Sequence, residues 1–228
     1  PKELRWEAPK SYVLKSEVML LDLLASFKWD RPLSFSVTVG TENYLGLEKF
    51  FRLDGLAYRL MPMEMNPEVK GQTGGVGIET TYKNFMEAFK WGNMNGDGVY
   101  LDETNLRMTM NFRSNFVRLA TALLNAGDKV RAEQVLDRAL ELMPDHKMSF
   151  DYFNVLMADL YRQMGKNEKA LKLANELEAK FGKEQAFLRR VRVRDAGFNQ
   201  ELQRADYFLQ AVSSLKNQIQ PPSPTGGK

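Results

Sequence analysis

The chain has 228 residues, 43% of them hydrophobic, with 32 Lys and Arg against 29 Asp and Glu and a formal charge of +3. That composition supports one large domain or two modest ones, and its basic excess is too small to imply nucleic acid. Cysteine is absent and His146 is the only histidine, which excludes disulfides, thiol nucleophiles, thiolate metal sites and multi-histidine metal sites, and leaves little room for a Ser-His-Asp triad.

The best apolar run, residues 18–25, is short and broken by Asp22, so nothing here has the ~20 apolar residues of a membrane-spanning helix. The first residue is Pro1 and no signal-peptide pattern follows, so the chain reads as a segment of something longer or a processed product.

Ser16 caps a predicted helix over residues 16–28, in which Val18, Leu21, Leu24, Ala25 and Lys28 follow a helical period. Arg31-Pro32 stops it. Leu33, Phe35, Val37 and Val39 then alternate with Ser34, Ser36 and Thr38, the pattern of a half-buried strand ending at Gly40. A short helix is expected over 44–51 and a second strand over 56–61. Residues 62–77 are rich in Pro, Gly and Asn and read as loop, after which helix resumes over 80–90.

From Thr104 onward the chain reads as helical with short breaks, and an internal repeat is visible. Ala120, Leu123, Gly127, Ala132, Ala139 and Pro144 recur 38 positions later as Ala158, Tyr161, Gly165, Ala170, Leu177 and Gly182. The recurrence is of roles. Gly127 and Gly165 each end a first helix, Asp128 and Asn167 stand where a second helix needs a cap, and the alanines let two antiparallel helices approach closely. This arrangement resembles the tetratricopeptide repeat, with the extra residues of each period placed in the 145–149 connection. Asn154 stands where the aromatic of that motif is usual, and Ala174 where a large residue is usual.

Two repeats cannot bury their own outer faces. Leu202, Ala205, Phe208, Leu209, Val212 and Leu215 form an apolar stripe suited to a C-terminal capping helix, and the mixed first half is expected to cover the other end.

Four clusters invite a chemical reading. Asn93, Asn95, Asp97 and Gly98 resemble the opening of a calcium loop, but Thr104 stands where the closing glutamate belongs, so a turn is the expectation. Gly71, Gly74, Gly75 and Gly77 mimic a phosphate-binding loop without the Lys-Ser/Thr that must follow, and read as a flexible surface loop. Arg189, Arg190, Arg192 and Arg194 read as a solvated helix face with Phe187, Leu188 and Val191 packing inward. Asp22, Asp30, Asp54 and Asp102 define no acid/base pair by spacing alone, although Trp29-Asp30-Arg31-Pro32 makes an unusual corner. No catalytic residue, metal ligand or cofactor is assigned.

In repeats of this kind the first helix of each pair lines the concave face. Its outward residues are Ser114, Val117, Thr121, Leu124 and Asn125, then Tyr152, Val155, Asp159, Arg162 and Gln163. This mixed surface suits an extended peptide or a helix, unless the protein's own elements fill it. The Lys/Asn constellation that clamps a terminal carboxylate in some tetratricopeptide domains is not matched.

The first half carries its own resemblance, in Leu21-Asp22-Leu23-Leu24-Ala25, Trp29-Asp30-Arg31-Pro32-Leu33-Ser34-Phe35, Asn43-Tyr44-Leu45-Gly46-Leu47, Gly55-Leu56-Ala57-Tyr58-Arg59-Leu60 and Phe89-Lys90-Trp91-Gly92 with Val99-Tyr100-Leu101-Asp102-Glu103. Together these resemble the region after the membrane domain in an uncharacterised bacterial family of multi-pass proteins similar to protein O-mannosyltransferases. The C-terminal part of that family is tetratricopeptide-like. The resemblance implies a soluble domain on the periplasmic side of the inner membrane, with any catalytic carboxylates in the membrane portion.

The expected architecture is therefore α+β, mostly α. Residues 1–103 form a small mixed segment packed on a helical repeat array over 104–220, and 221–228 form a disordered tail. The expected function is a non-catalytic protein-interaction domain that takes a protein or peptide partner and serves a membrane glycosyltransferase-like parent. A purely structural or self-associating brace is the second reading. A carbohydrate-binding or hydrolytic role, with Trp29, Tyr44 and Trp91 stacking on sugar, is the third.

Overall fold

The computed structural model describes residues 4–8, 11–192 and 198–220, with only the backbone of Arg192. The chain is α+β with helix dominant: seven α-helices among the described residues and one four-stranded sheet. It divides into two compact units, residues 1–93 with 121–128, and residues 94–120 with 129–228.

In the first unit, helix α1 (Lys15–Ala25) starts one residue before and ends three residues before the expected bounds. Glu17 closes its first turn by accepting from the Leu14 amide at 2.7 Å, a task that had been expected of Ser16. Strand β1 (Ser34–Ser36) keeps the predicted alternation on either side, with Leu33, Phe35, Val37 and Val39 half-buried and Ser34, Ser36 and Thr38 exposed. Its pairing stops early because the Val39 amide turns back onto the Ser36 carbonyl.

Strands β2 (Phe51–Leu53), β3 (Ala57–Leu60) and β4 (Gly75–Val76) complete a sheet of order β1-β3-β2-β4, antiparallel except for β2 against β4. Phe51 and Tyr58 stack at 5.7 Å, and Phe35 and Tyr44 close on Phe51 at 4.8 and 5.0 Å to form the aromatic core. The helix expected over 44–51 does not form. Leu45 and Gly46 adopt left-handed conformations, φ 55° and 79°, between two 3-10 turns. That break buries Tyr44, Leu45 and Leu47 together, side chains that a single helix would spread over more than one face.

The glycine-rich stretch is a packed edge instead of a flexible loop. Gly74, Gly75 and Val76 are buried, and a Cβ on Gly74, whose φ is +58°, would collide with the Phe51 carbonyl of β2. Thr81, on α2 (Ile78–Lys83), ties the β2–β3 hairpin, donating to the Leu53 carbonyl at 2.7 Å and accepting from the Gly55 amide at 3.0 Å. A π-helical turn, Asn84–Ala88, follows, and the chain is extended at Phe89.

The remaining helices are α3 (Glu103–Asn125), α4 (Lys129–Leu142), α5 (Tyr152–Gln163), α6 (Asn167–Arg192) and α7 (Asn199–Ile219). Asp102 caps α3 by accepting from the Asn105 amide at 2.8 Å.

Helices α3 and α5 end in the same way. Gly127 and Gly165 have φ of 82° and 81°, and the amides that follow them reach back to the Leu123 and Tyr161 carbonyls at 2.9 and 2.8 Å. Ala120, Ala132, Ala158 and Ala170 are all buried, as close helix packing requires. Asn167 is already helical, so the residue before α6 is Lys166, which matches Asp128 at the 38-residue interval.

Helix α6 runs straight through Gly182. A mid-helix glycine costs only about 1 kcal/mol, no proline stands here as Pro144 does after α4, and Phe181 and Leu188 continue a buried stripe. Phe187, expected inside, falls off that stripe and is 56% exposed. Leu202, Ala205, Val212 and Leu215 of α7 are buried as the apolar stripe predicted, and α7 packs on both α6 and α5. Arg194 and the tail 221–228 lie outside the described residues.

Candidate partner-binding furrow

Helix α5 is fixed at its start by Asp151. The Asp151 carboxylate accepts from the Phe153 amide at 2.8 Å, and Asn154 Oδ1 accepts from the Asp151 amide at 2.9 Å, a reciprocal cap. Asn154, odd for a repeat motif, is thereby explained. Arg113 of α3 reaches the same corner from 1% exposure, donating to the carbonyls of Met148, Ser149 (2.7 Å) and Met143 (3.2 Å) and to Asp151 (3.0 Å). The connection that carries the extra residues of the repeat is thus nailed to a helix by one guanidinium.

The outward side of α5 faces α7. Tyr152, Val155, Leu156, Asp159 and Arg162 line one wall and Tyr207, Ala211, Ser214, Leu215 and Gln218 the other, around a furrow of ≈ 380 Å³. Val155 and Leu215 form its apolar base, and the small Ala211 and Ser214 keep it open. At one end Tyr152 stacks on Phe208 at 5.9 Å and lies 6.3 Å from Tyr207. Burial, then the neighbouring Tyr207 hydroxyl, raises the Tyr152 pKa, so the phenol stays neutral at physiological pH.

At the other end Asp159 holds Arg162. Its Oδ1 accepts from Arg162 Nε at 2.8 Å and its Oδ2 from Gln163 Nε2 at 2.7 Å. Both carboxylate oxygens are therefore committed, while the guanidinium keeps its Nη1 edge free of any partner among the described residues.

Of the sequence-derived surface, Tyr152, Val155, Asp159 and Arg162 come together here, with Gln163 bracing Asp159 from the exposed side. Val155 serves as floor, being 5% exposed. Val117 is also 5% exposed, so it belongs to the core and not to a displayed surface. Ser114, Thr121 and Leu124 are half-buried and Asn125 is exposed. Sequence reasoning missed the α7 wall, although its stripe had been identified. Residues 211 and 214 flank that stripe, and their small size was the available signal.

The other candidates resolve individually. In the calcium-like loop, Lys147 Nζ donates to the carbonyls of Asp97 (3.0 Å) and Val99 (3.1 Å), and Asn95 Nδ2 donates to the Glu141 carbonyl. An ammonium group thus occupies the Val99 carbonyl, the backbone oxygen that a calcium loop opening at Asn93 would offer. Among the described residues no group of three or more His, Asp or Glu is placed to hold a metal. Asp54 is spent on Arg52, which grips it with Nε and Nη2 at 2.8 Å each, while Asp22 and Asp30 are exposed. Tyr44 is 2% exposed with its hydroxyl on the Val39 carbonyl, so no face of its ring is free for a sugar. Trp91 is packed among Phe85 and Phe89, whereas Trp29 is 43% exposed at φ 62°.

A second cleft, of ≈ 540 Å³, opens between α4 and α6 over Tyr161, Phe150 and Leu173. On one side Lys169 bridges Glu133 and Asp137 at 2.7 Å each, and Asp137 also accepts from the Tyr161 hydroxyl.

The fold and furrow define a class: an α+β chain whose helical unit presents an interhelical groove. Residues 2–80 match the family model described as TMEM260-associated domain 2, which fits the likeness to O-mannosyltransferase-related proteins carried by the motifs of the first half. No curated protein and no solved structure matches the chain. Among the described residues no helix is long and apolar enough to cross a membrane.

Proposed function

We propose that this chain is a non-catalytic protein-interaction domain whose helical unit, tetratricopeptide-like in its paired helices, takes a polypeptide partner in the furrow between α5 and α7. The observation that carries the reading is the furrow itself. It has an apolar floor, an aromatic end and a pre-oriented guanidinium, walled by two helices whose opposite faces are packed. The family-model match fits a parent related to O-mannosyltransferases; the resemblance of the first-half motifs is what suggests a membrane-bound parent, with this segment on the periplasmic side of a bacterial inner membrane and catalysis elsewhere.

The test is capture of envelope polypeptides by the immobilised chain, compared with a variant carrying Asp159→Ala and Arg162→Ala. Partners retained by the first and lost by the second support the reading. No capture above background by either chain counts against it. A purely structural brace is the second reading, favoured by α7 lying along the outward face of α5. It expects the double substitution to leave every interaction and the parent's activity unchanged.

A further inference from the structure

We infer that the α5–α7 furrow selects an extended internal peptide segment in which an acidic side chain stands beside an apolar one. This rests on the interaction reading above and adds the chemical class of the partner.

Three features fix the class. The first is size: a furrow of 380 Å³ holds the side chains of only a few residues, and an extended strand brings them there on a narrower backbone than a helix about 10–12 Å across. The second is length. From Tyr152 to Arg162 the wall runs ~15 Å at about 1.5 Å per residue, room for roughly four extended residues at ~3.4 Å each. A terminal residue would fill only part of that span, so a segment that passes through is the better fit.

The third is charge. Asp159 bonds to Arg162 through Oδ1 and to Gln163 through Oδ2, and so holds the guanidinium plane still. Among the described residues lining the furrow Arg162 is the one cation, because Ser214, Gln218 and the two tyrosines are neutral, and its Nη1 edge bonds to none of them. A carboxylate on the ligand meets that edge without displacing an existing bond. The apolar neighbour of the carboxylate covers Val155, Leu156 and Leu215, and Tyr152 and Tyr207 supply rigid contact area beyond it.

The experiment uses the full chain and fluorescein-labelled pentapeptides, blocked at both ends, built on one apolar sequence with either Glu or Gln at the centre. Polarisation is expected to show the Glu peptide binding about tenfold more tightly, the scale of a charge-assisted hydrogen bond. In Arg162→Gln that preference disappears while the Gln peptide binds as before. Tyr207→Ala, at a side chain 55% exposed and tolerant of change, weakens both peptides alike. Circular dichroism verifies that each variant is folded.

Equal binding of the two peptides overturns the acidic preference and leaves the groove reading intact, whereas no binding of either overturns both. A preference that survives Arg162→Gln removes Arg162 from the role. A Gln peptide with a free C-terminus that matches the blocked Glu peptide overturns the assignment to an internal side chain.

Discussion

Arg113 and Asp151 stand 3.0 Å apart in space and 38 residues apart in sequence, at equivalent places of the internal repeat. One is a buried cation that collects the carbonyls of residues 143, 148 and 149, and the other is the cap of α5. The repeat interval thus closes on itself through an ion pair between unlike residues at like positions.

Arg113→Met is expected to destabilise the chain by about 3 kcal/mol, since it leaves three carbonyls and a carboxylate without their shared donor. Arg113→Lys keeps the charge but not the fork, and falls between the two. Urea unfolding followed by circular dichroism measures both. A loss below 1 kcal/mol for the methionine variant would contradict this account of the corner.

Two glycines should respond in opposite directions. Gly182→Ala sits in the interior of α6 with open space around the new methyl group, and raises stability by about 0.5–1 kcal/mol. Gly74→Ala forces a side chain onto the Phe51 carbonyl at φ +58°, and costs more than ~2 kcal/mol. Melting temperatures of the two variants, read side by side, decide this.

Tyr161 links stability to alkaline pH. Burial first, then the hydrogen bond to Asp137 and the charges of Asp137 and Glu133, push its phenol far above the ordinary tyrosine range. The folded state therefore holds a proton that the unfolded chain releases near pH ~10. Its contribution is complete below about pH 10 and is lost as pH rises toward the folded value, at up to ~1.4 kcal/mol per pH unit. Tyr161→Phe costs about 1 kcal/mol at neutral pH and flattens the loss above about pH 10. Urea midpoints across that range, for both chains, give the comparison.

The loop that begins at Asn93 offers a separate check. Since Lys147 already bonds to Asp97 O and Val99 O, added calcium leaves the melting temperature unchanged. Lys147→Met loosens the loop, visible as faster amide exchange at Val99, whose amide bonds to the Gly96 carbonyl at 3.0 Å.

The sequence by itself determined the helical part. Gly127 and Gly165 announce the two left-handed helix ends, and Ala120, Ala132, Ala158 and Ala170 are buried because only small side chains let helices approach closely. These features repeat at a fixed interval and depend on local geometry, so one chain suffices to read them. The stripe of α7 was legible for the same reason, although neither the face it would meet nor the wall it would lend the furrow was.

Only tertiary structure decided the rest. That β4 arises inside a glycine-rich loop depends on Phe51, which comes from a distant strand and demands a residue without a side chain at Gly74. That Arg113 is buried depends on carbonyls thirty and more residues away. That Arg162 offers one edge to the furrow depends on Asp159 and on α7 lying opposite. Periodicity records how a chain prefers to coil, whereas donors, acceptors and close approaches are settled by partners that no local pattern names.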